Sequence, residues 1–503
     1  MRSVGLAVSF MLMAWTGPAH GADLKSDVQA WRSAHERQII DQLTEYTAIP
    51  SVAAQPDGLA QMATRLEAEL KARGFTARLL PGLAGSPPAV FGSFDTAGAK
   101  RTVVFYAHYD GQPVDPTTWR SDPFTPVMRA GPGAQAAEID WRGKAPPYDP
   151  EWRLFGRAAS DDKSSIVAFL AAFDALRAKG QTPGINIKVF WEGEEERNSP
   201  GLRSVLETNR DLLKADLWLI GDGPLHQSRS PTLYFGARGN VDVEATVYGP
   251  SRPLHSGHYG NWAPNPVVLA AQLITELRDP DGRILIPGFN SDVRAPGPAE
   301  QAAIDQLPPI EAALRDELSL GRTEGSDGLA ASTMRPALNI VGFRAGDGGR
   351  AIPSQAVVSM DFRLVADQTP ERVKEKVETY LAAKGWTVVH ADPDAATRRS
   401  HGKLIKLDWR GGYPALRTQM DAPFAQAVIA TVGQAADRRP AVLPTMGGSV
   451  PIFLFSDVLK APVVVLPIAN HDNSQHAPNE NARLQNLWDG IVTYSYLMTK
   501  LAW

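Results

Sequence analysis

The feature that most constrains this chain is what stands at the end of each short apolar run. Residues 102–107 end in His108-Tyr109-Asp110, and 185–191 end in Glu192-Gly193-Glu194-Glu195-Glu196. Residues 217–220 end in Gly221-Asp222, and 463–468 lead into the polar stretch from Asn470 to His476. A further cluster, Ser160-Asp161-Asp162-Lys163, precedes helical periodicity at 164–177. Short apolar runs between turn residues read as buried strands. Strands that alternate with helical segments predict a mainly parallel sheet covered on both faces. Open α/β sheets bind their ligands beyond the carboxyl ends of the strands. His, Asp and Glu are thus delivered repeatedly to one edge.

Taken singly, each cluster has a plain structural use. A His-x-Asp pair caps turns, a Glu run faces solvent, and Asp161-Asp162 suits the positive end of a helix dipole. Together they imply more, because clustered carboxylates repel one another and are normally held together by cations. Histidine nitrogen with carboxylate oxygen suits zinc, manganese or cobalt. The chain has no cysteine, which excludes disulfides, Cys-ligated metal sites and thiol catalysis. No G-x-S-x-G elbow occurs, so a serine hydrolase has little support.

The middle of the chain has a different rhythm. Residues 239–248 alternate through Val241, Val243, Ala245 and Val247. Residues 357–364 alternate as Val357, Ser359, Asp361 and Arg363 against Val358, Met360, Phe362 and Leu364. Amphipathic helices are predicted at 266–277 and 370–384. This is the pattern of a half-exposed antiparallel sheet backed by helices, an α+β domain inserted at 236–415. The first domain then comprises 22–235 and 416–503. Residues 120–152 and 290–330 read as long loops, and 202–213 as one helix.

The N-terminus reads as an export signal over residues 1–21. Arg2 precedes an apolar run, 4–15, too short to span a bilayer (about 20 residues). Gly17 and Pro18 end it, and Ala19-His20-Gly21 offers small residues for cleavage. The mature protein is expected to be periplasmic or secreted, without a membrane span. Hydrophobic residues at 43% and charged residues at 21% argue against global disorder. A formal net charge of −4 gives no electrostatic support for a nucleic-acid partner.

With these residues in view, the chain resembles the di-zinc exopeptidase family of carnosinase-like dipeptidases, acetylornithine deacetylase, aminoacylase and carboxypeptidase G. The resemblance runs from about Ile39 to the C-terminus. It is carried, in order, by FYAHYDGQP with WRSDPF (105–124), LFGRAASDDKSS (154–165), FWEGEEERNSPGL (190–202) and LIGD (219–222). PLHSGHYG (253–260), AIPSQAVVSMDFRLV (351–365), GGSVP (447–451) and HAPNEN (476–481) complete it. It implies a catalytic α/β domain with an inserted lid that dimerises, two divalent metal ions, zinc with manganese or cobalt as alternatives, and a cis Asp161–Asp162 bond.

The same resemblance implies residue roles. Asp161 bridges the metals, His108 and Asp222 complete one site, and Glu196 and His476 the other. Glu195 is the general base, and Asp110 orients His108. His255 reaches the partner subunit's active site and helps hold the oxyanion. Arg363 binds a substrate carboxylate, and Ser449 touches the substrate backbone. A pair of metals can share and activate one water, and Glu195 can take its proton and pass it to the leaving nitrogen. The chain departs from the family pattern at Ala158, where a glycine is usual, at Ser164, at Arg197-Asn198, where an apolar residue and glycine are usual, and at Thr445-Met446, where a charged pair is usual. The expected function is an exported metallopeptidase that hydrolyses dipeptides or short peptides. An N-acyl amino acid deacylase on the same metals is the alternative, and a non-catalytic binding protein on this fold is a third.

Overall fold

A computed structural model describes residues 24–346 and 349–503. The predicted export signal lies outside the described residues. Among the described residues, no helix is long and apolar enough to cross a membrane.

The larger sheet has eight strands. In spatial order they are Thr76–Leu80, Ala89–Phe94, Asn186–Glu192, Thr102–His108, Leu217–Ile220, Val463–Val465, Thr232–Tyr234 and Ala441–Leu443. The four central strands run parallel, antiparallel pairs join them to the strands on either side, and the edge strand Ala441–Leu443 pairs parallel with Thr232–Tyr234, giving a mainly parallel mixed sheet. Successive side chains of a strand point to opposite faces, so each strand feeds two cores. Val103, Phe105 and Ala107 pack with the helices Leu24–Ala48, Lys163–Ala178 and Leu484–Lys500. Val104 and Tyr106 pack on the other face with the helices Leu202–Thr208 and Phe453–Leu459. There Trp218 stacks on Phe455 with ring centroids 4.4 Å apart. Such a pair contributes about 0.5–1.5 kcal/mol beyond its buried area.

The second sheet has five strands, in the order Ala337–Ala345, Gln355–Leu364, Gly239–Tyr248, Leu404–Tyr413 and Thr387–Val389. Val241, Val243, Ala245 and Val247, with Val358, Met360, Phe362 and Leu364, bury one face under the helices Pro266–Leu277 and Pro370–Ala383. Each helix begins with proline after a polar cap. Asn265 Oδ1 accepts from Val267 N at 2.9 Å, and Thr369 Oγ1 from Arg372 N at 3.4 Å. A side-chain cap of this kind contributes about 1 kcal/mol. Glu244, Ser359, Asp361 and Arg363 occupy the opposite face.

Three sequence expectations need correction. The second sheet is not wholly antiparallel: Thr387–Val389 pairs parallel with Leu404–Lys406, because the short helix Ala395–Ser400 carries the chain across. Residues 290–330 are not one loop, since Pro298–Asp305 and Glu311–Glu317 are helical. The first of these starts on Pro298, with Glu300 Oε2 accepting from Gly297 N at 2.6 Å, a stop-and-start signal hidden in a Pro- and Ala-rich stretch. Residues 202–213 form two helices rather than one. They break at Asn209, whose Nδ2 donates to Val205 O at 2.9 Å in competition with the helical ladder.

Candidate active site and its relatives

The polar residues gather beyond the carboxyl ends of the central strands. His108 closes its strand, Asp222 stands two residues after the strand Leu217–Ile220, and Asp161 stands just before the helix Lys163–Ala178. Glu195 and Glu196 open the short helical turn Glu195–Arg197. Asp110 supports both sides: its Oδ1 and Oδ2 accept from Glu195 N at 3.2 Å and Glu196 N at 3.1 Å. Its Oδ1 also lies 3.3 Å from His108 Nδ1.

Asp161 stands between two clusters. Its Oδ1 is 3.0 Å from His108 Nε2, and its Oδ2 is 3.2 Å from His476 Nε2. His108 Nε2 is 3.9 Å from Asp222 Oδ1, and His476 Nε2 is 3.1 Å from Glu196 Oε2. The donor atoms of His108, Glu195 and Asp222 lie within 4.8 Å of one another, as do those of Asp161, Glu196 and His476. Glu195 thus stands closer to the first cluster than a remote base would.

Electrostatics show what the cluster lacks. Burial opposes a charge on His108, but Asp110 and Asp161 outweigh it and raise its pKa. Bonds from Asp161 and Glu196 lift His476 to about 10. Burial lifts Asp222 to about 7, with His108 opposing and the carboxylates of Asp161 and Glu196 adding to the rise. Burial and the Asp222 carboxylate push Glu195 well up. Asp161 Oδ2 is buried and faces the His476 ring, with Nε2 3.2 Å away. Imidazole nitrogens and crowded, buried carboxylates that converge on the same space together fit divalent cations of the zinc, manganese and cobalt type.

A cleft of about 860 Å³ opens above these residues. Glu195, Glu196, Asp222 and His476 line one end, and Arg363 and Ser449 line it as well. Arg363 reaches in from the second sheet, its Nε held by Asp361 Oδ2 at 2.9 Å. Ile304, Leu307, Leu329, Ala330, Leu443 and Met446 supply apolar wall. His255 is the exception: it is exposed, lines no part of this cleft, and lies against His258 at 4.4 Å between ring centroids.

Three residues of the site escaped sequence reasoning. Gln112 Nε2 donates to Glu196 Oε2 at 2.8 Å. Arg157 and Glu480 form a fully enclosed pair, with Nη1 donating to Oε2 at 2.8 Å. Each lies inside a segment quoted above, but only spatial pairing marks them. Two departures from the family pattern also gain an explanation. Ala158 and Asn198 stand where glycine is usual, and both adopt left-handed backbone, at φ 61° and 63°. The Asp161–Asp162 peptide bond is cis.

Histidines and carboxylates gathered at the mouth of an α/β sheet, beneath a second sheet that contributes an arginine, define a metal-dependent hydrolase. The family model of peptidase family M20/M25/M40 matches residues 104–500, and the chain belongs to that family. It is 26% identical over 496 residues to the Cys-Gly metallodipeptidase of Schizosaccharomyces pombe, covering 95% of this chain and 97% of the relative. The M20 family metallo-carboxypeptidase Sso-CP2 of Sulfolobus solfataricus has the same fold, with a TM-score of 0.72 and 26% identity over 92% of this chain and 98% of the other. Human carnosine dipeptidase 1 superposes with a TM-score of 0.75 and 22% identity, over 96% of this chain and 99% of the other.

Proposed function

We propose that this chain is an exported di-metal dipeptidase that hydrolyses the amide bond of dipeptides or short peptides as a homodimer. The observation that carries the reading is Asp161, with one carboxylate oxygen toward His108 and the other toward His476. His108, Asp161 and Asp222 would hold one divalent cation, and Asp161, Glu196 and His476 a second. Zinc is the expected metal, with manganese and cobalt as alternatives. Bound there, the pair would supply an activated water and polarise the scissile carbonyl.

The remaining steps belong to the chain. Glu195 takes a proton from the attacking water and delivers it to the amide nitrogen as the C–N bond breaks. The water oxygen and its second proton end in the new carboxyl group, and the amine leaves neutral. Asp110 keeps Glu195 and His108 in register through its bonds to Glu195 N, Glu196 N and the His108 ring. The Arg363 guanidinium binds the substrate carboxylate, for which its planar fork is suited, and Ser449 contacts the substrate backbone. His255 of the partner subunit completes the site at the oxyanion. Val341 and Phe343, exposed on the edge strand Ala337–Ala345 of the lid sheet, support assembly through that sheet. Arg2 and the apolar run that follows it support export.

The apolar wall of Ile304, Leu307, Leu329 and Leu443 also favours a second reading, an N-acyl amino acid deacylase with an acyl chain against that wall. The test is incubation of metal-loaded and chelated protein with dipeptides and N-acyl amino acids, with products read by mass spectrometry. Chelator-sensitive dipeptide cleavage is expected. Cleavage confined to N-acyl substrates would establish the deacylase, and cleavage that survives full metal removal would overturn both.

A further inference from the structure

Asp161 and His476 are 315 positions apart in the chain, yet both face the same few ångströms of space. Something must hold their loops in register, and Glu480 is placed to do it. Its side chain is fully enclosed. Oε1 accepts from Ser160 N at 2.9 Å and from Asp161 N at 3.0 Å. Oε2 accepts from Ala158 N at 2.9 Å and from Arg157 Nη1 at 2.8 Å. Its backbone oxygen accepts from Gly156 N at 3.0 Å. One residue therefore takes up donors from nearly every position between Gly156 and Asp161.

The left-handed backbone of Ala158 belongs to the turn that converges these N–H groups on one carboxylate. Arg157 returns to the other loop, with Nη2 donating to Ala477 O at 3.3 Å, one residue beyond His476. A second, weaker strut joins the same two loops, from Asn473 Nδ2 to Ser160 Oγ at 3.2 Å.

We propose that Glu480 is a positioning residue that sets the spacing of the two cation sites by clamping the Asp161 loop to the His476 loop. The proposal rests on the di-metal reading above. A buried Arg–Glu pair is by itself poor evidence for stability. Here, however, the charge-assisted bonds are concentrated on the backbone that carries Asp161, which is where precision in metal spacing is decided.

The test compares wild type with Glu480→Gln, which keeps the size but replaces an acceptor oxygen with a donor facing N–H groups. Cation affinity is measured by competition with a chromophoric chelator, and the manganese-loaded proteins are examined by electron paramagnetic resonance for exchange coupling between two ions. The variant is expected to bind about 10- to 100-fold more weakly. Its coupled signal should be altered even when saturating manganese fills both sites, which a loss of fold stability alone would not produce. Wild type with two ions, beside a folded variant with unchanged affinity and coupling, overturns the role of Glu480 alone. Wild type that binds no pair of cations overturns the di-metal reading and this proposal with it. If Glu480→Gln fails to fold, Glu480→Asp, which keeps the charge but shortens the reach to these donors, is measured instead. A smaller loss in the same direction supports the clamp, and unchanged affinity and coupling overturn it.

Discussion

Arg363 donates through Nη1 to Ser449 Oγ at 2.7 Å, joining the second sheet to the cleft wall of the first. Both residues line the cleft, and Ser449 Oγ in turn donates to Gly239 O at 3.3 Å, at the point where the chain enters the second sheet. A substrate carboxylate bound at Arg363 would therefore report on how the two sheets meet.

The carboxylate role of Arg363 is checked by a double-substitution cycle between protein and substrate. A hydrogen bond to a charged group contributes about 1.5–3 kcal/mol, or roughly 10- to 150-fold. Arg363→Ala should raise KM by such a factor on a free dipeptide and leave metal content unchanged. Amidation of the substrate C-terminus should cost wild type a similar factor and cost the variant little more. Additive losses would remove Arg363 from carboxylate recognition.

Glu195 stands near enough to His108 and Asp222 to be read as either a ligand or a base. As a base, Glu195→Gln should keep both cations by elemental analysis while turnover falls about 10²- to 10⁴-fold. Loss of one cation in the variant would reassign Glu195 as a ligand.

His255 lies outside the cleft of its own chain, so the oxyanion role proposed for it requires a partner. Glu195→Gln and His255→Ala homodimers should each be severely impaired. Mixed dimers of the two should regain activity, because one of their two sites then has both an intact Glu195 and an intact partner histidine. No recovery in demonstrated mixed dimers would place His255 outside the reaction.

Glu192 gives a pH dependence of stability. Burial lifts its pKa from 4.5 to about 8, while the nearby Ser199 hydroxyl and the Tyr106 hydroxyl, which donates to Glu192 Oε2 at 2.9 Å, oppose the rise. The folded state thus holds the Glu192 proton more tightly than the unfolded chain does. Its contribution is complete below about pH 4.5 and is lost as pH rises through about 8, with a slope of at most about 1.4 kcal/mol per pH unit. Glu192→Gln cannot ionise, so the difference in denaturant stability should grow in its favour across that window. A constant difference from pH 5 to 8 would refute the shift.

Much of the candidate site was legible because its acids and histidines stand at segment ends. His108, Asp222 and the Glu195-Glu196 pair each close or follow a short apolar run, and local periodicity reveals such runs without any knowledge of contacts. The alternation around Asp361 and Arg363 likewise marked a sheet with one face buried. The short helices at 298–305 and 311–317 were not legible, since caps and proline placement hold them rather than a long apolar stripe. Position 158 shows the same limit. Its alanine signals nothing until the backbone is seen to be left-handed there.

What the amino-acid order determined by itself was periodic and local: two kinds of sheet, the helices that cover them, and an edge where acids and histidines collect. What only the tertiary structure decided was which distant groups meet. Glu480 is an ordinary acid in a polar loop until its carboxylate is found to close the turn that bears Asp161. The physical reason is that apolar burial repeats along the chain and leaves a pattern. A buried hydrogen-bonded carboxylate is instead defined by donors more than 300 residues away, and nothing in its neighbouring residues records them.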